Sequence, residues 1–437
     1  MRTPGRALAA GLGVLLAASL ASSPAASAHR GSRVDAGAVN HWSRVAVETL
    51  FATEDAQPSP RATAIPESQL YFGFVSAAVY DAVRTAHRSG HGHGSRHDRQ
   101  ATVDAAVATA AHDVLVRYVV DSFDAKLAAE LDRSLAEIPE GVAKDRGAAI
   151  GRSAAASLVA RRVGDGTENR SRVLEPSDAV GGWRPTPPGN APMLVPWLGF
   201  VRPLLLDSPT QIRLDGPDHV TSAQYTQDFT EVKAVGAKDR STRDADMTAT
   251  ALFWNFNAVR QFQDAMRDLS ERKHLSAQKA ARMFAAINMT TADSLITCWR
   301  AKYDFAYWRP LTAIREADTD GNDATTADHT WEPLVTTPPY PDYTSGHACI
   351  TGSVATGLAR LAGSDDIDLT VPSYDPAVRS RHYDSARAMI AEAFNARIWL
   401  GLHFRTAMEA GSLIGQEASR LGFDRLGIGH HHGGHHH

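Results

Sequence analysis

Apart from one interruption, apolar residues along this chain recur at spacings of three and four, the period of a helix with one buried face. The pattern is plain over Ala101 to Val120, Asp124 to Ile138 and Val142 to Val163, all rich in Ala, Leu and Arg, which favour helix. Val45–Phe51 and Ser68–Arg84 join them. It resumes after Ser222, over Thr242–Phe256, Ala258–Ser270, Ala277–Phe305, His347–Leu361, Asp384–Leu402 and Thr406–Arg420. Between the two sets, Asp165 to Pro217 keeps no period, and five prolines fall between Trp183 and Pro203. Such a segment is an extended connector, held to the surface or along a cleft by Trp197 to Phe200. Strand signals are few and no repeat appears. The expected fold is mainly α, with two packed helical bundles: an N-terminal one over 29–164, a connector over 165–217 and a C-terminal one over 218–425.

Composition narrows the function classes. The chain is 43% hydrophobic and 22% charged with a net charge of −4, and its basic residues form no long run, which excludes a polybasic nucleic-acid binder. Arg2 and Arg6 precede an apolar run from Ala7 to Leu20 that ends in small residues and Ala-Ser-Ala. This predicts a secretory signal over 1–28, cut after Ala28, and hence an exported protein. No later segment has the clean apolar length of a membrane span. Cys298 and Cys349 allow one disulfide if their segments meet. The His/Gly-rich tail over 426–437 can bind divalent metals adventitiously but has no fixed geometry, and the loop from His87 to His97 is too Gly-rich to hold ligands in place. Asp318 to Asp323 places Gly321 wrongly for an EF-hand and reads as a solvated turn.

Three short segments carry chemistry. In Pro338 to Ile350, a proline-stiffened approach delivers Ser345, Gly346 and His347 to a helix start, where unpaired N–H groups and the positive dipole end favour an anion. A plain N-cap role for Ser345 explains the same residues. In Cys298 to Pro310, Lys302 is one of only seven lysines beside thirty-eight arginines, and it lies among Trp299, Tyr303, Phe305, Tyr307 and Trp308. Arg309 follows about two helical turns later. A snorkelling lysine and an arginine stacked on Trp308 are the structural alternative. In Asn395 to Arg405, Arg397 and His403 flank an apolar run, and a buried arginine needs an anionic partner. Together these segments offer three cations, two neutral donors and two imidazoles. Asp304 and Asp342 are too few to neutralise the cations, which suits a pocket for a tetrahedral oxyanion.

Lys302-x6-Arg309-Pro310, Ser345-Gly346-His347 and Arg397-x5-His403, in this order, resemble the three signature segments of the vanadium-dependent haloperoxidases. Those enzymes have relatives in the type 2 phosphatidic-acid phosphatases and class A acid phosphatases. The resemblance spans about Ala277 to Gly411. It implies vanadate as cofactor, with His403 as the axial vanadium ligand. Lys302, Arg309, Ser345, the Gly346 amide and Arg397 would hold its equatorial oxygens. His347 would be the acid–base group and Lys302 would polarise peroxide. Trp299, Trp308 and Tyr340 would form the halide pocket. Partners would be hydrogen peroxide and bromide or chloride, with an organic acceptor left open. Phosphate fits the same site, so an acid phosphatase forming a phosphohistidine at His403 is the second reading. A non-catalytic oxyanion-binding protein is the third. Three positions depart from the family pattern: Thr344 replaces a proline, Tyr340 stands where Phe or His occurs, and Ala407 stands where an Asp orients the axial histidine. Glu409 is the nearest acidic residue along the chain.

Overall fold

The computed structural model describes residues 33–51, 63–89, 95–119 and 123–428. The signal segment expected over 1–28 and residues 429–437 of the tail lie outside them. Helices dominate, as expected. The N-terminal group comprises α1 (Gly37–Leu50), α2 (Ile65–Ser89), α3 (Arg96–Tyr118), α4 (Asp124–Ala136) and α5 (Val142–Arg162). Ser95 starts α3 with a capping box, its hydroxyl accepting from the Asp98 amide while the Asp98 carboxylate accepts from the Ser95 N–H. Small residues set how closely these helices approach. A Cβ added at Gly147 or Gly151 of α5 would lie 2.4 Å from the Thr102 carbonyl oxygen or 2.6 Å from that of Ala106, both on α3.

The chain then runs without regular structure, apart from a 3-10 turn at Pro196–Phe200, to α6 (Ala223–Val235), α7 (Ala245–Phe253) and α8 (Ala258–Arg272). The 29-residue α9 (Ala277–Phe305) follows, then the short α10 (Pro310–Arg315) and α11 (Gly346–Ala362). A two-stranded antiparallel sheet, β1 (Asp366–Val371) and β2 (Arg381–Ser385), precedes α12 (Ala386–Trp399) and α13 (Arg405–Arg425). The helix expected from Asp384 therefore starts two residues later. Asp384 and Ser385 belong to β2, and the Ser385 hydroxyl caps α12 by accepting from the Ala388 amide. The helix expected from Thr242 begins at Ala245, because the Asp244 carboxylate caps it through the Met247 amide.

Helix α9 joins the two helical groups. Its Asn288 donates to Ser76 of α2 at 2.9 Å and to Gln263 of α8 at 3.2 Å. Its Asp293, fully buried, accepts from the amides of Leu204, Leu205 and Leu206 at 2.6, 2.7 and 2.9 Å. These bonds tie the proline-rich connector to α9, and burial still raises the Asp293 carboxyl to about 6. The turn at Asp318 to Asp323 closes on itself, with the Thr325 hydroxyl donating to Asp320 at 2.7 Å. Among the described residues, no helix is long and apolar enough to cross a membrane.

One acidic side chain on α3 gives a stability prediction. Burial, with Asp35 nearby, raises Asp104 to about 7, against the help of the Gln100 amide at 2.9 Å. A carboxyl raised on folding binds more protons in the native state than in the unfolded one. It therefore costs stability increasingly as pH rises from about 4 to about 7, and the full cost stands above that window. Asp104→Asn should raise the melting temperature at pH 8, by roughly 1 kcal/mol or more of stability, and should lose this advantage near pH 4. Thermal melts across that range check it; an advantage independent of pH would remove the cause.

Candidate oxyanion site

Three parts of the chain converge: the C-terminal turns of α9 with the N-cap of α10, the loop and first turn leading into α11, and the α12–α13 corner. Lys302, on the last turn of α9, is completely buried. Its Nζ donates to the carbonyls of Pro341 at 2.6 Å and Asp342 at 3.2 Å, and lies 4.8 Å from the centre of the Tyr340 ring. Burial lowers its ammonium to about 8, with Arg309 adding to the effect. Arg309, also completely buried, donates from Nε to the Tyr340 carbonyl and from Nη1 to the Leu402 carbonyl, both at 2.7 Å. It stacks on Tyr340 at 4.9 Å, not on Trp308. Arg397, on the last turn of α12, donates from Nη1 to the Trp254 carbonyl at 2.9 Å. Its buried Nε has no protein acceptor, and burial lowers the guanidinium to about 10.

Ser345 is indeed the N-cap of α11, as the plainer reading has it. Its amide donates to the Ala407 carbonyl of α13 at 2.9 Å, which fixes this helix start against the corner that carries His403. The preceding Tyr343–Thr344 peptide is cis. Gly346 leaves room for little else, since a Cβ there would lie 3.2 Å from the Trp299 ring. His347 is partly buried, with Nε2 3.3 Å from the Phe256 carbonyl. Burial and Arg397 hold its imidazole well below the usual histidine range, and hence neutral. His403 is buried and likewise held low, by burial and by Arg309 and Lys302. Its Nε2 lies 3.3 Å from Arg309 Nη1, and its Nδ1 donates to Asp342 Oδ1 at 2.7 Å.

All seven signature residues thus surround one region, and Trp299 and Tyr340 line it, their rings 5.2 Å apart. Trp308 does not join this aromatic wall. It is buried in a neighbouring cluster with Tyr225, Phe229 and Leu311. Cys298 and Cys349 meet around the Thr344 hydroxyl, at 3.3 and 3.9 Å, but remain free thiols. Glu409 is exposed and so does not reach the buried imidazole. Asp342 is the residue whose role the sequence left unread. Its partner lies 61 residues away, so only spatial folding reveals the contact.

Chemically, three buried cations face one buried carboxylate, and an arginine N–H waits without an acceptor. A buried donor left unmade is costly, so the cage fits an anion with several oxygens. Among the described residues, no group of three or more His, Cys, Asp or Glu could hold a bare metal ion.

The family of the VCPO second helical-bundle domain matches residues 282–427, a stretch that contains all seven signature residues. The vanadium chloroperoxidase of Curvularia inaequalis is 29% identical over 171 residues, covering 29% of this chain and 27% of that protein. The chain therefore matches little more than a quarter of that relative's length. The crystal structure of the first bacterial vanadium-dependent iodoperoxidase has a TM-score of 0.74 at 20% identity, covering 91% of this chain and 98% of that one. A holo-type bacterial vanadium-dependent chloroperoxidase has a TM-score of 0.66 at 18% identity, covering 87% and 97%. At these identities, the two structures are likenesses of fold.

Proposed function

We propose, on the match of residues 282–427 to the family of the VCPO second helical-bundle domain and on the likeness to a vanadium chloroperoxidase, that the protein is an exported vanadate-dependent haloperoxidase. It would convert hydrogen peroxide, a halide ion and a proton into hypohalous acid and water. The observation that carries this reading is the buried Nε of Arg397, which has no protein acceptor and sits in a cage of cations. Export rests on the leader from Arg2 to Ala28.

The residues fit vanadate. Lys302, Arg309 and Arg397 would hold its charged oxygens, the Ser345 hydroxyl and Gly346 N–H would add neutral donors, and His403 Nε2 would be the ligand. Vanadate supplies a Lewis-acid centre that makes peroxide electrophilic toward halide without a change in oxidation state. The protein does the rest. Lys302 remains largely protonated near neutral pH because its ammonium is lowered only to about 8, so it can donate to a peroxide oxygen. The neutral imidazole of His347 can take a proton from incoming peroxide and return it to the leaving oxygen. Trp299 and Tyr340 shield the cations from bulk water and offer halide a weakly hydrated wall.

The test is a paired assay on mature, tail-free protein. One arm receives orthovanadate, peroxide and chloride, bromide or iodide with a chromogenic halogen acceptor. The other receives an aryl phosphate without vanadate. Vanadate-dependent halogenation lost in His347→Ala is the expected result. Phosphate release that vanadate inhibits, without halogenation, would instead assign the cage to a phosphatase.

A further inference from the structure

His403 can bind through Nε2 only if the proton sits on Nδ1, and a second group normally fixes that choice. No acidic residue follows His403 at the expected spacing, since the position is Ala407. The small side chain there leaves a cavity of about 10 Å³, which Ala407 shares with Asp342, Asp228, Thr406 and Tyr225. That is about the space of one water molecule. Asp342, in the loop before α11, also lines this cavity and places its Oδ1 2.7 Å from His403 Nδ1.

We propose that Asp342 is the positioning residue for His403, reaching the imidazole from the Ser-Gly-His loop instead of from α13. It fixes the Nδ1–H tautomer and leaves the Nε2 lone pair for the central atom of the bound oxyanion. The assignment deepens the vanadate reading and rests on it for the identity of that oxyanion.

The surroundings of Asp342 support this role. Its backbone is pinned on both sides, the amide donating to the Tyr307 carbonyl at 2.9 Å and the carbonyl accepting from Lys302 at 3.2 Å. The carboxylate also accepts from the Phe404 amide, next to the imidazole it holds, and burial raises it to about 7 against the pull of Arg309 and Lys302. Arg309 Nη1 lies 3.9 Å away and compensates its charge. Competing acceptors for Nδ1 are committed elsewhere: the Leu402 carbonyl accepts from Arg309, and Asp228 caps α13 by accepting from the Thr406 amide at 2.8 Å. One carboxylate therefore connects all three signature segments. It accepts from His403, faces Arg309, and lies three residues before Ser345.

The experiment uses full-length mature protein with ¹⁵N-labelled histidine, first without vanadate and then titrated with orthovanadate. The wild type should show the Nδ1–H tautomer at His403 before any vanadate is added. Asp342→Ala should lose that tautomer and bind vanadate about 10- to 100-fold more weakly, the usual effect of removing such a partner. Asp342→Asn, nearly isosteric and safe for the fold, should retain the ring orientation with a smaller loss of affinity. Asp342→Ala combined with Ala407→Asp puts a carboxylate back into the lining of the same cavity, from α13, and should recover part of the affinity. Wild-type tautomer and affinity in Asp342→Ala, or no recovery in the double variant, would overturn the assignment. If the wild type fails to bind vanadate while Asp342→Ala still loses the tautomer, the vanadate reading falls and the positioning role stands.

Discussion

Replacing His403 with alanine is expected to reduce halide oxidation by a factor on the order of 10³ or more in a protein that still folds. In the vanadate reading the imidazole would be the nitrogen ligand, and neither His347 nor any carbonyl of the cage is free to take its place. His347 has its Nε2 at the Phe256 carbonyl. The Leu402 carbonyl already accepts from Arg309. Removing a buried ring costs about 1–3 kcal/mol in lost burial, a small part of what a chain of this size buries. The cations stay in place, because Lys302 and Arg309 are held by backbone carbonyls and not by the imidazole. Phosphate should therefore still bind to the variant. Steady-state halogenation and a phosphate titration check both halves. Halogenation within tenfold of the wild type would remove His403 from the chemistry.

The second large effect falls on packing. Gly411→Ala should destabilise the protein by about 1–3 kcal/mol and weaken oxyanion binding at the same time. A Cβ at Gly411 of α13 would lie 2.5 Å from the carbonyl oxygen of Ser345, the N-cap of α11, and 2.9 Å from the Ala348 side chain in its first turn. Four residues on, a Cβ at Gly415 would lie 2.4 Å from the Cys349 carbonyl. Alanine would add helix propensity worth about 0.5–1 kcal/mol. The clash is with backbone, which cannot rotate away, so overpacking wins. The helix that bears the Ser-Gly-His segment must then shift relative to the corner that bears His403. Gly189, with nothing within 4 Å of an added Cβ, serves as the control, and Gly189→Ala should be neutral. Denaturant melts together with a vanadate titration separate the outcomes. A destabilised variant with wild-type affinity would show that the contact matters to the fold alone.

Most of the site was legible because its residues are unusual for their surroundings. A rare lysine among aromatics, a Ser-Gly-His after stiff prolines, and an arginine and a histidine around an apolar run all signal burial with a purpose. Spacing could not show which ring a cation stacks on. Arg309 lies beside Trp308 in sequence, yet it stacks on Tyr340, because Trp308 turns into the cluster of Tyr225 and Phe229. Nor could spacing find the partner of His403, which reaches it from another loop. The helical architecture followed from periodicity over long windows. The β1–β2 pair escaped because its alternation (Ile367, Leu369, Val371) spans six residues, and Arg381 to Ser385 is almost wholly polar.

The cations of the cage are anchored by the main chain. Lys302 and Arg309 reach the carbonyls of Pro338, Tyr340, Pro341, Asp342 and Leu402, which any residue would supply. The loop from Pro338 to Ser345 therefore specifies the charge layout through its length and path more than through its letters. The Tyr340 side chain, by contrast, touches both cations through its ring, at 4.8 Å from Lys302 and 4.9 Å from Arg309, so that substitution there alters their surroundings while their main-chain anchors stay. Inserting or deleting one residue in that loop would instead displace several anchors together, so the ways open to change in this site run through substitution and not through length.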